Sequence, residues 1–241
     1  DLKNINKFQY KLVIFDRIGK INLKFIKKIK REKKKIICID DNYKFKSNCD
    51  LSINPLIFKK SIIRNNHYSG FKYNILPSNL EKLKIKKIKK IKKIFIFFGG
   101  YDSKKLTSKI ESYLKNYDHE YEIYLFKTQS NKLNYKKNFY KLMNSCDIVI
   151  CAGGLTMFDA INLRKIVIAT DQYLHQKTNI KKLQRLRIVK YFNENSLNNL
   201  ISIIKNLEKD NQIEKIIERV EKFNKLQRWK FILRKIKKLC I

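Results

Sequence analysis

Cys146-Asp147-Ile148-Val149-Ile150-Cys151-Ala152-Gly153-Gly154-Leu155-Thr156-Met157-Phe158-Asp159-Ala160 is the stretch on which the fold of this chain turns. An apolar run too short for a helix, closed by two glycines and followed by apolar residues at helical spacing, reads as a buried parallel strand, a tight turn and a helix. The chain has 6 glycines in 241 residues, and four of them form two pairs, Gly99-Gly100 and Gly153-Gly154. The first pair repeats the pattern, following Ile94-Phe95-Ile96-Phe97-Phe98. A chain so poor in glycine keeps it where backbone must turn tightly or approach another group closely. A strand, a glycine turn and a helix N-terminus also make an anion site, because unpaired N–H groups and the helix dipole converge there.

Working outward, strands alternate with helices. The spacing predicts strands over 94–98, 121–126, 148–151 and 166–169, with helices over 106–114, around 138–143 and from Met157. That alternation predicts an α/β protein, a parallel sheet wrapped by helices in Rossmann-like layers. Upstream, Tyr10 to Asp16, Lys35 to Asp41 and Cys49 to Pro55 read as three short strands, with a helix through Phe25 and Ile29 after the first. His67 to Pro77 has no clear period and reads as an ordered loop. Glu81 to Lys93, nearly all Lys and Ile, reads as a solvated connector or helix that marks a boundary, in preference to a membrane-binding basic helix. Downstream, 198–207 and 213–239 read as helices, the latter with Val220, Phe223, Leu226, Trp229 and Leu233 near helical spacing. The expected domains are an N-terminal region with the connector (1–92), a C-terminal Rossmann-like domain (93–210), and a final helix (211–241).

The formal charge is +35, from 56 basic and 21 acidic residues. The excess is lysine spread along the whole chain among Ile and Asn, so it reads as a composition bias rather than a nucleic-acid patch, and no helix-turn-helix, zinc or RNA-sheet motif accompanies it. No specific nucleic-acid partner is expected, although the positive field favours an acidic ligand. The cysteines, Cys38, Cys49, Cys146, Cys151 and Cys240, are odd in number with no CxxC pair, and predict reduced thiols in a cytoplasmic protein. No apolar run reaches the roughly 20 residues that span a bilayer, and no secretory signal is read.

At the second glycine pair, Gly153, Gly154, Leu155 and Thr156 would present N–H groups and a hydroxyl to phosphate, and the Asp159 carboxylate would accept hydrogen bonds from ribose hydroxyls. The blander alternatives are a close helix-to-sheet contact for the glycines and a dipole partner for the acid. His175 is weighed as a base near the diphosphate against a pocket or structural residue, the second being preferred. Asp40 and Asp41 end a strand and are possible cleft acids, although such acids more often cap helices or pair with Lys. No metal-ligand spacing and no GxSxG elbow occurs, so neither a metal nor any other cofactor is expected.

The quoted stretch, with Ile166-Val167-Ile168-Ala169-Thr170-Asp171-Gln172 and His175-Gln176-Lys177-Thr178-Asn179 after it, resembles the C-terminal domain of GT-B nucleotide-sugar enzymes. It is similar in particular to the UDP-sugar hydrolases of pseudaminic acid biosynthesis and related spore-coat polysaccharide proteins, and more distantly to the peptidoglycan N-acetylglucosaminyltransferase. Phe97-Phe98-Gly99-Gly100-Tyr101-Asp102 with Leu106-Thr107 resembles the turn opening the second domain of those hydrolases. Ile39-Asp40-Asp41, Cys49-Asp50-Leu51-Ser52-Ile53-Asn54 and Tyr68-Ser69-Gly70-Phe71-Lys72-Tyr73 resemble motifs of their first.

The resemblance implies two Rossmann-like lobes, the first partial over 1–92 and met by the final helix of 211–241 crossing back to it, and a UDP-sugar site. In it Gly153 to Thr156 and Asp159 hold diphosphate and ribose, Gln176 and Asn179 close the nucleotide pocket, and Gly99, Gly100 and Asp102 face the substrate. The implied activity is hydrolysis of a UDP-linked 2,4-diacetamido-trideoxy-hexose, releasing UDP and free sugar. The alternatives are a nucleotide-sugar glycosyltransferase or a truncated UDP-sugar-binding protein without activity. Two departures stand out. Asp159 replaces the family's usual Glu, one methylene longer. The family's glycine-rich first loop with its histidine has no counterpart after Asp1, so the N-terminal lobe is read as incomplete and no catalytic role passes to His67, His119 or His175.

Overall fold

The computed structural model describes residues 10–16, 23–39, 49–55, 66–100, 102–117, 120–126 and 132–240. The chain divides into two compact units, Asp1–Ile75 with Gln227–Ile241, and Leu76–Leu226.

In the first unit, β1 (Leu12–Asp16), β2 (Lys35–Ile39), β3 (Leu51–Asn54) and β4 (His67–Ser69) form a parallel sheet in sequential order. Alternation along β2 sends Ile36 and Cys38 to one face and Ile37 to the other, as the two-residue strand period requires. The first face packs on Ile26 and Ile29 of α1 (Leu23–Arg31). The second packs with Leu51, Ile53 and Tyr73 on Ile232 of α9 (Trp229–Cys240). The 213–239 segment expected as one helix is therefore two, α8 (Gln212–Asn224) and α9, parted by residues 225–228, where the Arg228 N–H donates to the Lys72 carbonyl. The expected loop over 67–77 contains β4 and a 3-10 turn at Phe71–Tyr73. β4 has only three residues, too few to show a period. The expectation of five reduced thiols is corrected: Cys38 and Cys49 form a disulfide, while Cys146 and Cys151 are buried thiols and Cys240 is exposed. Cys38 stands opposite Ser52 of β3, and Cys49, just ahead of that strand, packs on the same cluster as Cys38, a meeting that an 11-residue separation does not reveal.

The second unit holds β5 (Lys93–Phe97), β6 (Glu122–Leu125), β7 (Ile148–Ala152), β8 (Ile166–Thr170) and β9 (Val189–Tyr191), all parallel, in the order β6-β5-β7-β8-β9. The connecting helices are α3 (Leu106–Tyr117), α4 (Lys132–Ser145), α5 (Leu155–Asn162) and α6 (Leu174–Arg185), with α7 (Leu197–Leu207) and α8 following. β7 and β8 are buried along their whole length, which explains their unbroken apolar sequence. Phe139 of α4 meets Phe95, Phe97 and Phe126 edge-on and fills one face of the sheet. β9 and α6 were not anticipated, because β9 is three residues long and α6 is polar on most of its surface.

The Lys-Ile connector between α2 (Ser78–Glu81) and β5 is not helical. The Asn144 side chain accepts from the Lys86 N–H and donates to the Lys84 carbonyl, pinning the connector to the end of α4. Asp147, 3% exposed, accepts from the Lys92 and Lys93 N–H groups at 3.0 and 2.9 Å, and its other oxygen lies 3.6 Å from the Lys86 ammonium. The fully buried Lys165 donates to the Lys86 carbonyl at 3.1 Å, and its burial pushes the amine down to about 8. This polar cluster sits at the N-terminal ends of β5, β7 and β8, the sheet edge away from both glycine pairs. A groove of about 310 Å³ between the connector and α8, lined by Ile85, Ile88, Ile213 and Ile217, belongs to the same end. Asp147→Ala would leave the Lys92 and Lys93 amides without their acceptor and remove the partner of the Lys86 ammonium, and is expected to cost about 2–4 kcal/mol in urea denaturation.

Candidate functional site

The strand order carries the site. From β5 the chain moves outward to β6, then returns past β5 to lay down β7, β8 and β9 on the other side. Right-handed crossovers put α3 on one face of the sheet and α4, α5 and α6 on the other. The connections leaving β5 and β7, neighbours with Phe97 opposite Cys151, therefore diverge and leave a crevice outside the C-terminal ends of these strands. Both glycine pairs stand at those two strand ends.

Gly99 has φ +93, a conformation that side chains with a Cβ adopt poorly. The turn it starts is fastened on both sides. The Gln172 side chain donates to the Phe98 carbonyl at 3.2 Å, and the Lys104 ammonium pairs with Glu194 at 2.5 Å. Asp102 gives both carboxylate oxygens to the first turn of α3, accepting from the Leu106 and Thr107 N–H groups at 2.9 and 2.8 Å. It is thus the N-terminal cap of α3 in this structure, and holds the Gly99-Gly100 turn in place from beneath.

At the second pair, Gly154 is the N-cap of α5 and no side chain caps that helix. The Gly154 N–H donates to the Ala152 carbonyl at 2.9 Å and the Met157 N–H to the Gly154 carbonyl at 3.2 Å, which leaves the first-turn N–H groups of Leu155 and Thr156 without a partner among the described residues. Leu155 is 49% exposed and Thr156 half-buried on this turn. Gly153 serves the close contact that was the blander alternative: a Cβ there would lie 2.7 Å from Ile180 Cγ1 and 2.8 Å from the Gln176 carbonyl oxygen. The contact draws the start of α6 against the loop. Gln176, 9% exposed, accepts from the Gln172 N–H at 2.9 Å, and buried Asn179 donates to the Gly153 carbonyl at 3.5 Å. Gly153, Gly154, Gln176 and Asn179 are thereby brought together, and Gln172, not singled out beforehand, ties them to the Gly99 turn. Tyr173 and Leu174 at the head of α6 are 44% and 83% exposed and present apolar surface there.

Asp159 lies one turn into α5, 7% exposed, on the side facing α4. The Tyr140 hydroxyl donates to its Oδ2 at 3.2 Å. Burial pushes the carboxyl up to about 7, and the tyrosine hydrogen bond opposes that rise. Tyr140 could not be found from sequence, because nothing in the spacing of α4 and α5 indicates which of their residues meet. Asp41 falls outside the described residues, and His175 is placed only as a backbone position in α6. Among the described residues no group of His, Cys, Asp and Glu could hold a metal ion, and no helix is long and apolar enough to cross a membrane.

No family model matches the chain. The uncharacterized protein MJ1062 of Methanocaldococcus jannaschii is 30% identical over 198 residues, 67% of this chain and 40% of that protein, so the chain spans well under half the length of this relative. Among solved structures the chain is similar to the glycotransferase of kitacinnamycin, with a TM-score of 0.64 at 9% identity over 99% of this chain and 78% of that one. It is similar to MurG of Acinetobacter baumannii, with a TM-score of 0.62 at 12% identity over 98% and 76%. A third is the spinosyn rhamnosyltransferase SpnG complexed with thymidine diphosphate, with a TM-score of 0.56 at 12% identity over 98% and 75%. The fold is GT-B-like, two Rossmann-like lobes each built on a parallel sheet.

Two outcomes follow from this geometry. Gly153→Ala should cost about 1–3 kcal/mol in chemical denaturation, through a clash with the α6 backbone, whereas Gly100→Ala, with nothing within 4 Å, should change stability by under about 0.5 kcal/mol. Asp159 binds its proton more tightly in the folded chain than in the unfolded one. Its contribution to stability is therefore full at acid pH and is lost as pH rises from about 4 to about 7. Melts of wild type should show that loss, at up to ~1.4 kcal/mol per pH unit, and Asp159→Asn should remove it.

Proposed function

We propose that the second unit binds a nucleoside diphosphate sugar outside the C-terminal ends of β5 and β7, and that the chain cleaves the bond between its sugar and its diphosphate. The observation that carries this reading is the reversal of strand order between β5 and β7, which sets both glycine turns and the uncapped start of α5 around one crevice. The diphosphate lies against the N–H groups of Leu155 and Thr156, where the helix dipole favours negative charge. The same groups stabilise the charge that grows on the diphosphate as the sugar departs. Asp159 accepts from the ribose, and Leu155, Tyr173 and Leu174 offer apolar surface beside it. Gln176, Asn179, Gly99 and Gly100 shape the pocket through backbone and amide groups, with Asp102 holding the turn from behind. The thymidine diphosphate named for SpnG supports a nucleoside diphosphate as the ligand.

The acceptor of the sugar distinguishes two forms of this reading. The structural neighbours named as glycosyltransferases support transfer to an acceptor hydroxyl. The motifs around Gly99, Gly153 and His175 support transfer to water, with UDP and a free 2,4-diacetamido-trideoxy-hexose as products. No residue is assigned to the chemical step in either form.

Titration calorimetry of the chain with UDP at moderate salt, with single-stranded DNA as control, tests the site. UDP should bind where DNA does not displace it, and Asp159→Ala should weaken UDP roughly tenfold while leaving the chain folded. A folded chain that gives no heat with UDP would overturn the reading.

A further inference from the structure

The side chain beneath the open turn of α5 is held from outside its own helix. Tyr140 is 9% and Asp159 7% exposed, and they meet at 3.2 Å across α4 and α5. Only Oδ2 of the carboxylate is taken; Oδ1 accepts no hydrogen bond among the described residues, and it is not one of the enclosed polar atoms left without a partner, so it keeps contact with solvent. Tyr140 is itself held by the neighbouring ring of Phe139, which is locked among Phe95, Phe97 and Phe126. The hydroxyl is thus delivered from the core of the sheet.

We propose that Tyr140 is a positioning residue for nucleotide binding: its hydroxyl fixes one oxygen of Asp159 so that the other meets the ribose hydroxyls of the bound nucleoside diphosphate. The inference rests on the nucleotide reading of the glycine crevice. Aspartate is a methylene shorter than glutamate and cannot search for a partner, so its direction must be set by the protein. A hydroxyl that donates to the carboxylate also favours its charged form, the better acceptor for a ribose.

The surroundings of Asp159 make this control strong. From β7 it is faced by the buried Cys151 thiol, which burial first and the Asp159 charge second push up. β8 presents Ile, Val, Ala and Thr only. From α8, Glu221 is paired with Arg164, beyond the far end of α5, at 3.0 Å. Lys141, beside Tyr140 on α4, is exposed. Among the described residues the charge of Asp159 is therefore answered by the Tyr140 hydroxyl, with burial acting against it. Affinity for a ribose-bearing nucleotide should rise as pH climbs through neutrality, and loss of the hydroxyl should move that rise to higher pH.

The test compares wild type, Tyr140→Phe and Asp159→Asn in calorimetric titrations with UDP and with 2′,3′-dideoxy-UDP between pH 6 and pH 8.5. Wild type should bind UDP more tightly with rising pH and should bind the dideoxy nucleotide with no such trend. Tyr140→Phe should weaken UDP roughly fivefold to tenfold at pH 7.5, shift the midpoint upward and leave the dideoxy nucleotide unchanged. Asp159→Asn should erase the trend. Equal loss of both nucleotides in Tyr140→Phe, or an unmoved midpoint, would overturn the positioning role while leaving the nucleotide site intact. Absence of UDP binding by folded wild type at every pH would overturn the site and the inference together.

Discussion

A single missing side chain governs the second unit. At Gly153 the backbone carbonyl of Gln176 stands 2.8 Å from where a Cβ would be. This contact seats the start of α6 against the end of β7, and through Gln172 it links the β8–α6 connection to the turn after β5. Three connections that leave three different strands are thus fixed relative to one another by close packing and a few amide hydrogen bonds. A loop held this way keeps its N–H groups aimed without a ligand, which is the condition for binding an anion without paying for reordering.

Two buried acids in this unit show how environment assigns different work to one residue type. Asp147 sits at the start of β7 with two backbone amides and a lysine around it, and the arrangement clamps a lysine-rich connector to the sheet. Asp159 sits near the other end, with a tyrosine hydroxyl and, among the described residues, no cation. The first closes a structural joint. The second is left with an acceptor oxygen and a charge that burial opposes, the state in which an acid responds to a ligand or to pH.

The strands of the second sheet were legible because burial on both faces leaves no room for polar residues, so Ile94 to Phe98, Ile148 to Cys151 and Ile166 to Ala169 stand out as unbroken apolar runs. β4, β9 and the break between α8 and α9 were not. Three residues carry no period, and the apolar spacing of α8 and α9 continues across residues 225–228 although the two helices bury their stripes in different units. The glycine pairs were legible as turns at strand ends, but the particular use of each was not. Gly153 is a packing contact, Gly99 a positive-φ turn, and Gly154 an uncapped helix start.

By itself the sequence determined the class of the fold and the places where chain direction changes, because periodicity and glycine placement are local consequences of backbone sterics. The tertiary structure alone decided which turns meet: the order β6-β5-β7-β8-β9, the disulfide between Cys38 and Cys49, the Gln172 link to Phe98 and the Tyr140–Asp159 pair. Each joins residues whose separation along the chain is set by the length of whatever element lies between them. That length carries no record of which neighbour a strand takes in the sheet, and the choice is made by packing of the whole core.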